Sequence, residues 1–322
     1  MLVLNAKSTA YTVAPVLYGF KHFYPGIRVV GVVFNFVASV AHYAYLQQAC
    51  ADAGVEALGY IPKDESIVIP SRHLGLSIDE TFCFDAFADR VAEVIDKTVN
   101  VDRLLELCTV EFSGEQTQDV VCFGNRKIAI ARDEAFNFMY RENVEALKRA
   151  GEVVFFSPLH DKRLPDADLV YFPGGYPELY LPELAANEGM RQSVRKYCEN
   201  GGRVLAECGG MMYLCDTITD GDGKVYPMAG VLKQGATMEQ MKLKLGYREV
   251  RVNGQRIRGH EFHYSRILPT NEKIPVIGTI YNAKDMVVDT PVYTYKNVLA
   301  SYIHFYWGEC GIDHFLMLMS QK

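Results

Sequence analysis

Cys208 stands between Glu207 and the pair Gly209-Gly210, where an apolar run from Arg203 to Glu207 gives way to Met211, Met212 and Leu214. Apolar run, cysteine and two glycines read as strand, tight turn and helix. Such an elbow presents one side chain at the C-terminal edge of a parallel sheet, with a small residue after it that lets substrate approach the backbone. A cysteine there is a candidate nucleophile, and the positive end of a helix dipole would favour its thiolate. A free cysteine is more often a small core residue. Glu207 and the glycines are odd company for that fate.

A second glycine pair, Gly174-Gly175, follows the apolar run Leu169 to Phe172. Backbone N–H groups in a tight glycine turn can converge on an oxyanion without a side chain in the way. Tyr176, Glu178 and Tyr180 continue that turn and are placed to hold a substrate beside it. A cysteine nucleophile also needs a base, usually histidine, and eight are available: His22, His42, His73, His160, His260, His263, His304 and His314. Each taken alone is more often a satisfied core residue. Gly259 to Ser265 reads GHEFHYS, whose histidine spacing is not HExxH, so it does not point to zinc.

Elements that could position these groups follow from the apolar periodicity. With 322 residues the chain is long enough for two domains, each with its own core. The first third reads strand (Leu2 to Leu4), helix to about His22, strand (Ile27 to Phe34, ending in Asn35), helix (about His42 to Ala53) and strand (Ala57 to Ile61). That is an α/β pattern with a parallel sheet. Two helices over 80–112 follow, the second capped by Asn100. A polar stretch over 113–124 is the expected linker. Beyond it, strands at Lys127 to Ala131, Val153 to Phe156, Leu169 to Phe172 and Val204 to Glu207, with a helix from Tyr140 to Ala150, predict a second, flavodoxin-like parallel sheet.

The composition excludes several classes. Hydrophobic content of 49% and charged content of 22% are ordinary for a globular protein, and a net charge of −6 argues against nonspecific nucleic-acid binding. The 8 cysteines contain no CxxC pair, which fits a reduced compartment better than a disulfide framework. Neither a membrane-length apolar run nor a signal peptide is present, so the expectation is a cytoplasmic protein without a membrane partner. The phosphate-loop pattern GxxxxGK[ST] is absent from the sequence.

Four segments, IAIARDEAFNFMYRENVEAL, FPGGYPELY, VLAECGGMMYL and RGHEFHYS, resemble in order the class I glutamine amidotransferase domain of the cobyrinate a,c-diamide synthases. GVVFNFVASVAHYAYLQQA and the block ending Arg72 to Leu76 resemble the middle of that family's ATP-dependent, dethiobiotin-synthetase-like domain. The resemblance implies an α/β chain: an incomplete, P-loop-type synthetase domain over 1–112, then the amidotransferase domain over 125–322. It implies Cys208 as glutaminase nucleophile and His304 as its proton shuttle. Gly174, Gly175 and Gly209 become the oxyanion hole, and Asn35 the reader of adenine through its amide.

The expected activity is ATP- and glutamine-dependent amidation of the a- and c-acetate carboxylates of cobyrinate in cobalamin biosynthesis, a C–N ligase reaction using Mg2+. Alternatives are the same chemistry on hydrogenobyrinate or nickel-sirohydrochlorin, or a partner-dependent glutaminase or non-catalytic subunit. In the family the phosphate loop and magnesium-binding acids lie ahead of the position matching residue 1, so a homo-oligomer or a separate N-terminal fragment enters as an expected partner. Many class I amidotransferases carry a glutamate two positions after the catalytic histidine; here that position is Tyr306. A Cys-His dyad, or a third group from elsewhere, is therefore expected.

Overall fold

The computed structural model describes residues 1–69, 83–111, 126–270 and 273–307, with the backbone of two short strands, Ser71–Arg72 and Gly75–Leu76. The expected linker, His314, and His73 and Leu74 of the Arg72 to Leu76 block lie outside the described residues. Two compact units divide the chain, Met1–Gln116 and Thr117–Lys322.

In the first unit, strands Leu2–Asn5, Val32–Val37 and Ala57–Pro62 form a three-stranded parallel sheet in that order. The middle strand starts later than its apolar run suggested, because its neighbours begin opposite Val32, and it continues through Asn35. Helix Val40–Ala53 starts where the Ser39 hydroxyl accepts the His42 N–H at 3.1 Å and stops at Gly54, whose φ of 64° suits glycine. It buries Leu46 and Ala49 against Leu17, Val32 and Phe34. Helices Phe84–Thr98 and Val101–Cys108 follow, and Asn100 caps the second by accepting the Arg103 N–H at 3.0 Å.

The second unit is built on a six-stranded sheet in the order Val292–Tyr295, Val298–Ser301, Arg203–Glu207, Leu169–Phe172, Arg126–Ala131, Gly151–Phe156. All but the first edge strand are parallel. The five parallel strands have the flavodoxin-like order, and the switch point falls between Arg126–Ala131 and Leu169–Phe172. In such sheets ligands bind beyond the carboxyl ends of the strands at that point.

A second, antiparallel sheet was not anticipated from the sequence. It runs Thr279–Asn282, Lys244–Val252, Gln255–His263, Ile303–Phe305. Its Val250, Ile257 and Ile280 pack with Ile128, Tyr171 and Leu205 of the parallel sheet, so one core lies between the two sheets. Val204, Ala206 and Cys208 belong to a different core with Met190, Val194 and Met211. A third, four-stranded sheet contains a hairpin: Cys215–Thr219 pairs antiparallel with Val225–Pro227.

Candidate active site

Strand Arg203–Glu207 ends in an elbow at Cys208, and helix Gly209–Leu214 starts at once. Cys208 has φ 46° and ψ −107°, a conformation an L-residue holds only when its surroundings impose it, at a cost of about 1–3 kcal/mol. Its N–H donates to the Ser301 carbonyl at 2.8 Å, and its carbonyl accepts the Met212 N–H at 3.0 Å. The glycines after it are required by contact. A Cβ on Gly209 would lie 2.7 Å from Pro177 Cδ and 2.9 Å from the Gly175 oxygen, and one on Gly210 would lie 2.7 Å from Phe172 Cβ. The helix start therefore rests directly on the Gly174-Gly175 turn.

That turn is fixed by residues beyond the neighbouring strand. Gly174 and Phe138 exchange both backbone hydrogen bonds (3.1 and 3.0 Å), and the Tyr176 N–H donates to the Ala135 carbonyl at 2.9 Å. The Gly174 N–H is thus already engaged, which corrects its expected place as an oxyanion donor. Gly174 has a steric role instead, since a Cβ there would collide with the His304 ring, 2.9 Å from Nδ1. Among the described residues the N–H of Gly175 makes no hydrogen bond, and that of Gly209 faces the Cys208 sulfur.

His304 lies on Ile303–Phe305, after the chain has left the parallel sheet at Ser301 and joined the antiparallel one. Asn143, fully buried, fixes that strand from helix Arg141–Ala150: its amide donates to the Phe305 carbonyl (2.7 Å) and accepts the Trp307 N–H (2.8 Å). The His304 ring meets Phe138 edge to face at 4.6 Å and stacks on His260 at 4.8 Å. His260 Nδ1 is 2.6 Å from the Tyr140 hydroxyl. The structure thus brings Cys208, Gly174, Gly175, Gly209 and His304 to one place.

Electrostatics corrects a further expectation. Burial, then the charge of Glu178, raises the Cys208 thiol far above its ordinary value, with Glu207 and Glu261 adding to this; the Gly209 N–H opposes them. Burial first, and the carboxylates after it, keep Cys208 a neutral thiol at rest. Burial and the neighbouring His260 and His263 lower His304 to about 3. Both groups are thus neutral at rest.

GHEFHYS, whose role the sequence left open, is a buried polar bracket. Glu261 accepts hydrogen bonds from Arg248 Nε (2.7 Å) and the Thr290 hydroxyl (2.9 Å), and lies 2.9 Å from His263 Nε2. Burial opposes its charge, but His263, Lys244, Thr290 and Arg248 hold the carboxyl down to about 2. The Phe262 carbonyl between the two histidine positions faces Cys208 Sγ at 3.9 Å. Among the described residues no group of three or more His, Cys, Asp or Glu could hold a metal ion.

Asn35 lies in the first unit, opposite Asn5 at the carboxyl end of the parallel sheet. It borders a cavity of about 450 Å³ with Ile61, Pro62, Ile67, Phe87 and Val91. Its Oδ1 accepts the Phe36 N–H at 2.9 Å, so its amide NH2 remains available.

A flavodoxin-like sheet whose elbow cysteine meets a glycine turn and a buried histidine defines a class I glutamine amidotransferase domain. Residues 127–310 match the CobB/CobQ-like glutamine amidotransferase domain. Over 324 residues the chain is 34% identical to the cobyrinate a,c-diamide synthase of Salmonella typhimurium, covering 96% of this chain and 71% of that protein. With the cobyrinate a,c-diamide synthase of Caldanaerobacter subterraneus it shares 35% over 339 residues, 98% and 73% of the two chains. The hydrogenobyrinate a,c-diamide synthase of Pseudomonas aeruginosa is 36% identical over 306 residues, 94% and 69%. The chain belongs to the cobyrinate a,c-diamide synthase family, as its motifs implied.

Proposed function

We propose that this chain hydrolyses glutamine at Cys208 and delivers the ammonia to activated a- and c-acetate carboxylates of cobyrinate, in the cytoplasm. The observation that carries this reading is the convergence of an elbow cysteine, the backbone N–H groups of Gly175 and Gly209 and a buried histidine. In the reaction, Cys208 Sγ gives its proton to His304 and attacks the side-chain amide carbon of glutamine. The N–H groups of Gly175 and Gly209 take the oxyanion, and His304 returns the proton to the departing ammonia. Water then hydrolyses the thioester to glutamate.

Glu178 is the group we assign to the substrate's α-ammonium. It sits in the turn Pro177–Leu179 beside Gly209, and burial raises its carboxyl to about 7 against a hydrogen bond from its own backbone N–H. A bound cation would restore its charge.

The carboxylate that accepts ammonia needs a leaving group, which ATP supplies as a phosphate. The cavity beside Asn35 fits a purine: apolar walls for its faces and an amide for its edge. The described residues offer no phosphate loop and no magnesium cluster, and no step is derived through either.

Glutamate release from glutamine by the chain and by Cys208→Ala tests the first half. Release abolished by the substitution supports it; equal release by both proteins would sink it. ATP-dependent mass gain on cobyrinate, measured beside hydrogenobyrinate, tests the substrate. The Pseudomonas aeruginosa relative favours keeping the metal-free corrinoid as a second reading.

A further inference from the structure

Tyr306 occupies the position where a carboxylate would be expected to orient His304, yet a carboxylate reaches the same ring from the other direction. Glu207, the residue before the nucleophile, points away from Cys208 into the core between the two sheets and is 1% exposed. Its Oε2 lies 4.0 Å from His304 Nδ1. Nδ1 is buried and has no hydrogen-bond partner among the described residues. The carboxylate is itself held: the Tyr171 hydroxyl donates to Oε2 at 2.8 Å, and the Phe305 N–H donates to Oε1 at 3.2 Å. One residue on either side of the elbow thus faces each end of the reaction, because successive side chains of a strand point to opposite faces.

We infer that Glu207 is the positioning residue of His304: its carboxylate accepts the Nδ1–H of the ring, leaving Nε2 to receive the thiol proton. This rests on the glutaminase reading above. When Nε2 takes the proton from Sγ, the ring becomes an imidazolium whose charge Glu207 offsets; the Nδ1 proton stays on the ring, and the carboxylate gains none. Closing the distance to a hydrogen bond takes about 1 Å, the scale of a side-chain adjustment when substrate fills the site. An ion pair carried on the nucleophile's own strand supplies the third group that the position after the histidine lacks.

The groups that face Glu207 are Tyr171 and His304, with Cys208 and Tyr140 within range of its charge. Burial lifts its carboxyl to about 8, against the hydrogen bonds from Tyr171 and Phe305. Only the ionised form can accept the Nδ1–H, so glutamine turnover should rise with pH through that value.

The test compares Glu207→Gln and Tyr171→Phe with the unaltered chain. Glu207→Gln should lower kcat for glutamine hydrolysis by about 10²- to 10⁴-fold with KM nearly unchanged, and should erase the rising limb. Tyr171→Phe keeps the carboxylate and should stay within a few-fold; a loss equal to that of Glu207→Gln would mean Glu207 merely closes a structural bracket. Nitrogen-15 NMR of the histidines reads the same point without substrate. Above pH 8, where Glu207 is ionised, His304 should be Nδ1–H in the unaltered chain and in Tyr171→Phe, and lose that preference in Glu207→Gln. Nε2–H in the unaltered chain at that pH, or the same tautomer and pH limb in Glu207→Gln, would overturn the assignment. Should Glu207→Gln fail to fold, the tautomer in the other two proteins decides. If the chain releases no glutamate at all, the glutaminase reading fails and the tautomer still tests Glu207.

Discussion

The nucleophile and the histidine are built in opposite ways. Cys208 is positioned by a strand, a turn and a helix that together span Arg203 to Leu214, and its two glycines are required by atoms of the adjacent turn. His304 is positioned by partners remote in sequence: Asn143 from one helix, Glu207 from another strand, His260 from a second sheet. Local steric rules suffice for the first, whereas the second depends on two sheets closing over one core. A substitution on the nucleophile side should therefore damage chemistry without damaging the fold, and one on the histidine side should damage both.

Of the glycine substitutions, Gly209→Ala should have the larger effect on turnover. Its Cβ would push against Pro177 and the Gly175 oxygen and so part the two N–H groups assigned to the oxyanion; glutamine hydrolysis should fall by about 10²- to 10³-fold. Activity within twofold would break the assignment of that N–H. Gly174→Ala comes next, since its Cβ would displace the His304 ring; a loss of about 10²-fold in kcat is expected, with alkylation of Cys208 still occurring.

Asn143→Leu probes the other side of the comparison. It would remove the hydrogen bonds to the Phe305 carbonyl and from the Trp307 N–H, costing about 2–5 kcal/mol, and loosen the strand that carries His304. Denaturant melts should show that loss together with lower activity. Unchanged stability with lost activity would erase the distinction between the two sides.

How far each side could be read without the structure follows the same division. Strand, glycine turn and elbow are visible as apolar runs ending in glycine, because their rules act over a few residues. Resemblance alone supplied His304; its surroundings did not show, because the antiparallel sheet pairs His260 with His304 across a long stretch of chain. The expected oxyanion donor Gly174 proved to be a spacer, since a glycine pair in a sequence does not reveal which N–H is already bonded. Glu207 was the available signal for the third group. A carboxylate closing an apolar run needs a partner, but the partner is 97 positions further on, in a strand of a different sheet. Likewise the helix start was legible at Cys208, while the burial and the carboxylates that raise its thiol were not.

A pH dependence of stability isolates Glu207. Its folded value of about 8 lies above the ordinary 4.5, so the folded chain holds a proton between those values that the unfolded chain has released. The neutral group's contribution is full below about 4.5 and is lost as pH rises through 8. For His304 the sign is reversed: its folded value of about 3 lies below 6.5, so its contribution is present above 6.5 and lost as pH falls through 3. Between about 4.5 and 6.5 the two slopes cancel in the unaltered chain. Glu207→Gln removes one of them, so the melting temperature of the unaltered chain minus that of the variant should decline as pH rises from 4.5 to 8 and stay level outside that window. The slope should be about 3–5 °C per pH unit for one proton. A difference independent of pH would mean that Glu207 is ionised in the resting fold, with its charge already balanced across the 4.0 Å gap to His304.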